Sequence, residues 1–112
     1  MPTKEAMYDE AVAVQQQGDL EEAVGKLREL LGAHPDYALA HAALSVFYSK
    51  LEKHDEAVEH GQKVCELEPD DPFSFVAMSL ICQKAGRLQE AEQALMQARM
   101  AQVAAQKGRQ PD

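Results

Sequence analysis

The sequence has no tryptophan and only three Phe and three Tyr among its 112 residues. Its apolar content of 46% must therefore build a core from Ala, Leu, Val and Met. Proline and glycine are scarce, and the five prolines fall at the edges of apolar-periodic runs, as helices require. Cys65 and Cys82 have neither CxxC spacing nor the density of a disulfide framework, so both are expected to be reduced and mostly buried. Basic charge is short as well: 11 Lys and Arg against 19 Asp and Glu give a net charge of −8. That balance excludes nucleic acid as a partner, because phosphates reward clustered Lys and Arg. No run reaches membrane-spanning length, and Met1-Pro2-Thr3-Lys4-Glu5 has no apolar signal core. No membrane partner is expected, and the expected compartment is the cytoplasm.

Catalytic signatures are missing too. Of the four histidines, His34 sits in a turn, while His54 and His60 are six apart and so lie on different faces of a helix. There is no HExxH motif and no Cys/His cluster of zinc spacing, so the histidines read as scattered structural or surface groups and no metal is expected. No glycine-rich phosphate loop or nucleophile elbow occurs. The carboxylates of Glu21-Glu22 and Asp55-Glu56-Glu59 fall on solvent faces. Neither a cofactor nor enzymatic activity is expected.

What the sequence does have is a period. Residues 38–71 hold an apolar-periodic run, a short polar break, a second run and then Pro69-Asp70-Asp71. Displacing this stretch by 34 residues superposes Ala57 on Ala23 or on Ala91, and Pro69 on Pro35. A fixed period of this length means stacked helical units that bury their faces against one another.

Start and stop signals place the helices. Thr3 can cap a first helix to about Gln17, with Ala6, Met7, Ala11 and Val14 on one face. Gly18-Asp19 breaks it; Asp19 and Glu22 form a capping box for the next, whose buried stripe is Ala23, Leu27, Leu30 and Leu31. In the middle unit Leu44, Phe47, Tyr48 and Leu51 line one helix, Glu52-Lys53-His54 replaces the glycine turn, and Ala57, Val64 and Leu67 line the other. Asp71-Pro72 opens the third unit, with Phe75, Met78, Ile81 and Cys82 inward, and Gly86 turns the chain into a last helix. That helix has Val103 where the earlier units have Pro35 and Pro69, so it is expected to continue to about Gln106. The expected organisation is one domain over residues 1–107, in units of about 4–37, 38–71 and 72–105, with a disordered tail at 108–112.

These residues resemble the tetratricopeptide repeat, whose pattern is W-x2-L-G-x2-Y, then A-x3-F, then a closing proline. The middle unit reads His41-x2-Leu44-Ser45-x2-Tyr48, Ala57-x3-Gly61 and Pro69. The first reads Met7-x2-Glu10-Ala11-x2-Val14, Ala23-x3-Leu27 and Pro35, and the third Phe75-x2-Met78-Ser79-x2-Cys82 and Ala91-x3-Leu95, without the proline. The resemblance implies an all-α solenoid of three helix-turn-helix units with an extended C-terminal helix. Ala23, Ala57 and Ala91 fall where paired helices approach closely. Gly61 stands where the other units have leucine, and is expected to leave room for Phe47 or Tyr48.

The resemblance also implies that the first helix of each unit lines a groove that takes a protein or peptide partner. The expected lining is Tyr8, Ala42 and Val76; Val12, Val46 and Leu80; and Leu39 and Phe73, with Glu5 in the first unit. Gln15, Ser49, Gln83, Gln16, Lys50 and Lys84 make a polar edge. Some members of the family grip a partner's terminal carboxylate with Lys, Asn and Arg, but the matching sites here are Tyr8, Val12, Ala43, Phe73 and Ala77. An amphipathic helix or an extended apolar peptide fits better. A second surface is the stripe Met96, Met100 and Val103, at i, i+4 and i+7 of the last helix, where earlier units carry Arg28, Gly32, Pro35 and Gln62, Glu66, Pro69. A terminal repeat free in water should be polar there, so the stripe is expected to pair with a second copy as a homodimer, the alternatives being another protein or the long helix's own first-helix neighbour. The leading reading is an adaptor that docks a partner's apolar segment and self-associates. The alternatives are a homo-oligomeric scaffold without a client, and a small secretion-type chaperone, which usually carries an extra N-terminal pairing helix.

Overall fold

A computed structural model describes residues 2–109, Arg109 by its backbone only, and every regular element among them is helical. The helices are α1 (Lys4–Gln16), α2 (Leu20–Ala33), α3 (Ala38–Lys50), α4 (His54–Leu67), α5 (Pro72–Lys84) and α6 (Leu88–Arg109). Local chemistry sets their starts. Thr3 Oγ1 accepts from the Ala6 N–H at 3.1 Å and Asp19 Oδ1 from the Glu22 N–H at 3.0 Å. Asp71 Oδ1 accepts from the Phe73 N–H at 3.0 Å, with Pro72 in the first turn. The capping box at Asp19 is only half formed. Its own N–H already donates to Val14 O at 3.3 Å, so the Glu22 side chain has no donor to reach back to.

The turn inside each unit repeats atom for atom. Asp19, Lys53 and Arg87 donate to the carbonyls of Val14, Tyr48 and Cys82, respectively. The residue before each donor takes positive φ: Gly18 at 97°, Glu52 at 61° and Gly86 at 77°. This left-handed step lets the chain reverse while the last carbonyls of the helix stay bonded. Glu52 holds, against its preference, a conformation that the other two units give to glycine.

Helices α1 and α2, α3 and α4, and α5 and α6 pack as hairpins, and α2 on α3 and α4 on α5 join successive units. The radius of gyration, 15.2 Å, exceeds the about 13 Å of a compact domain of this size, as a stacked array should. Ala11, Ala23, Leu27, Leu30, Ala40, Leu44, Ala57 and Cys82 are wholly buried. Of the expected core residues, Ala6 is exposed. Leu31, Val64, Leu67, Phe75 and Met78 are half-buried.

Two expectations need correction. A Cβ on Gly61 would lie 3.1 Å from Met78 Sδ and 3.2 Å from Ser45 Oγ, so the glycine makes room for these and not for Phe47 or Tyr48. The last helix runs past Gln106 to Arg109, so residues 108 and 109, expected in a disordered tail, are helical. The rest of that tail, 110–112, lies outside the described residues.

Candidate functional site

The face carried by α1, α3 and α5 changes character along the stack. In the first unit Tyr8 and Val12 are half-buried: Tyr8 meets Tyr37 edge-on at 6.3 Å, and Lys4 Nζ lies 5.0 Å from the Tyr37 ring centroid. Ala42 is also half-buried. On α3 and α5 the other expected lining residues, Leu39, Val46, Phe73, Val76 and Leu80, are exposed, Phe73 by 77%. The exposed apolar surface thus belongs to the second and third units.

Between α3 and α5 lies a cavity of about 200 Å³. Val46, Ala77, Leu80 and Lys84 form its mouth, and Gly61 and Ile81 lie among its buried lining. Two serines of the lining direct their hydroxyls elsewhere. Ser45 Oγ donates to Ala57 O at 2.7 Å, and Ser74 Oγ lies 2.7 Å from Asp71 O. Neither α3 nor α5 contains a carboxylate, and each ends in a lysine, Lys50 and Lys84. Every Asp and Glu of a chain of net charge −8 therefore lies outside these two helices.

The stripe on α6 is also open, with Met96, Met100 and Val103 exposed by 63, 66 and 50%. Beside it, a cleft between the start of α5 and the later turns of α6 is lined by Phe73, Val76, Leu95, Ala98 and Arg99, with Asp70 and Asp71 at its edge.

Two histidines that read as scattered are in contact. His41 Nε2 lies 2.8 Å from Pro35 O, an acceptor only, so Nε2 carries the proton and Nδ1 is free to accept. The His60 Nδ1–H then donates to it at 3.0 Å, while the His60 ring stacks on Tyr48 at 5.6 Å. Burial, and then His41, hold the His60 pKa below its ordinary value. His41 and His60 are 19 residues apart on different helices, so no local spacing announces the pair. Among the described residues no group of three or more His, Cys, Asp or Glu is placed to hold a metal ion. Burial pushes both thiols up, and Cys65 Sγ donates to Ser74 O at 3.4 Å, which suits packing rather than nucleophilic chemistry.

No helix among the described residues is long and apolar enough to cross a membrane. No curated protein matches the sequence. Solved structures do resemble it. A crystal structure of MamA protein superposes on 98% of this chain with a TM-score of 0.86 and 21% identity, and 60% of its own length is covered. The chain thus spans about three fifths of the MamA structures it matches. A structure of the CopN-Scc3 complex matches 88% of the chain and 58% of its own, with a TM-score of 0.80 and 19% identity. The second TPR of Spaghetti (RPAP3), bound to the HSP90 peptide SRMEEVD, matches 88% of this chain and 91% of its own, with a TM-score of 0.76 and 20% identity. At these identities the likeness is one of fold. Residues 8–72, more than half of the chain, match the tetratricopeptide repeat, and the chain belongs to that family.

Proposed function

We propose that the chain is a protein-interaction module, an adaptor and not an enzyme, that takes an apolar or amphipathic segment of a partner along the face of α1, α3 and α5. The observation that carries this reading is the group Leu39, Val46, Phe73, Val76 and Leu80, exposed on two neighbouring helices whose core positions are already filled by other residues. Exposed apolar patches of this kind mark contact sites. Two structures of similar fold support the class of function: one holds a peptide and another is a complex of two proteins. The sites that would hold a terminal carboxylate are Tyr8, Val12, Ala43, Phe73 and Ala77, which favours an internal segment over a chain end. Affinity capture with the parent and with a folded Val46→Glu variant tests the reading. A protein retained by the parent and lost by the variant, with a synthetic segment that competes, supports it; equal retention by both removes the groove.

A second reading concerns self-association and rests on the exposed α6 stripe. We propose that two copies pair through Met96, Met100 and Val103, a flexible surface that can adapt to its own copy. Met100→Asp is expected to turn a dimer into a monomer in a solution-mass measurement. A parent already of monomer mass would retire this reading and leave the groove untouched.

A further inference from the structure

Gly61 occupies the place that Leu27 and Leu95 hold in the other two units, and the cavity between α3 and α5 opens beside it. From this geometry, and resting on the groove reading above, we infer that the cavity is an anchor pocket for one apolar side chain of a partner protein's segment, with a carboxylate of that segment beside Lys84.

Three observations name this occupant. The first is size. An apolar cavity of about 150 Å³ accepts a benzene ring, and this one, at about 200 Å³, suits a leucine, methionine or phenylalanine side chain. The second is polarity. The hydroxyls of Ser45 and Ser74 are bonded to backbone carbonyls of their own chain, so they make no demand on an incoming group. What remains of the lining is apolar except for Lys84. The third is charge. In a chain with a net charge of −8, α3 and α5 carry no carboxylate and present Lys50 and Lys84 one repeat apart along the same edge.

Neither lysine is in an ion pair among the described residues. A lysine in the last turn also suits the helix dipole, but the dipole does not require both helices to be free of acids along their whole length. An acidic chain that keeps its carboxylates off α3 and α5 offers the exposed apolar side of these two helices to a segment bringing carboxylates of its own. The partner's chemistry is therefore an apolar anchor with Asp or Glu within about one helical turn of it.

Selection from a displayed library of random peptides tests the pocket, with four baits shown to be folded by circular dichroism: the parent, Ala77→Leu, Lys84→Glu and Val46→Glu. Ala77 is exposed at the mouth, so leucine there closes the pocket without entering the core. Peptides enriched on the parent are expected to pair an apolar residue with Asp or Glu. As synthetic peptides they should bind Ala77→Leu and Lys84→Glu at least about tenfold more weakly, and exchanging the peptide's acid for lysine should restore binding to Lys84→Glu. Peptides without an acid, or peptides lost only on Val46→Glu, would overturn the anchor pocket while the groove reading stands. If the parent enriches no peptide, both readings fall.

Discussion

The two ends of the stack are finished differently. At the first unit the outer side of α1 presents Ala6, Ala13 and Glu10, and the Glu10 carboxylate is held by Lys26 of α2 at 2.7 Å. At the last unit Phe73, Leu95, Met96, Met100 and Val103 stand exposed. Among the described residues each of these two units has a neighbour on one side only, and a solenoid unit buries its faces against its neighbours. The first end meets water with small and polar side chains. The last end has apolar surface there instead, a difference that fits the contact surfaces proposed above.

The sharpest way to break this contrast uses one repeat position. Leu27 is fully buried and its equivalent Leu95 is 38% exposed, so Leu27→Ala should cost about 2–5 kcal/mol and Leu95→Ala about 1 kcal/mol or less in denaturant unfolding. Equal costs would mean that the last unit is as well packed as the first. Asp71→Ala removes the cap at the entrance to the last unit and is expected to cost about 1 kcal/mol, read as a lower midpoint at unchanged slope.

Glu52→Gly should act the other way. Relief of positive φ offsets the extra freedom glycine has in the unfolded chain, and a net gain of about 0.5 kcal/mol is expected. A loss would show that the Glu52 side chain does more than occupy the turn.

The smallest effect is in the pH profile. His60 has a lowered pKa in the folded state, so between that value and the ordinary value of 6.5 the unfolded chain binds more protons. The contribution is intact above 6.5 and is lost as the pH falls through the folded value. His60→Gln should flatten that slope in a thermal series; an unchanged slope would place its origin elsewhere.

Much of this architecture could be read from the residues in order. Gly18, Glu52 and Gly86 fall at a constant interval, and so do Ala23, Ala57 and Ala91, because turns and close helix approaches are local requirements that recur with the unit. The caps at Thr3, Asp19 and Asp71 were legible for the same reason. What escaped depends on how elements distant in sequence are docked. The neighbour of Gly61 turned out to be Met78, 17 residues further on and in the next unit. His41 and His60 meet only once α3 and α4 are docked. Tyr8, expected in an open groove, is half-covered, because Tyr37, in the link to α3, comes back against it. The end of α6 was placed too early because Gly108 reads as a breaker, yet the helix runs through it. The absence of acids from α3 and α5 was visible all along, but it gains meaning only when the two helices stand side by side.

The pairing of helices has a consequence for how the chain folds and opens. Nearly all of the packing is between helices next to one another in sequence. Such contacts close short loops, so the barrier to folding should be low and the hairpins can form in any order. Opening should then begin at the ends and not everywhere at once. Amide exchange would be slowest in α3 and α4, which are flanked on both sides, and fastest in the overhang of α6. The exposed apolar surface lies on α3 and α5, so a segment seated there as proposed should slow exchange in α5 and in α6 packed on it.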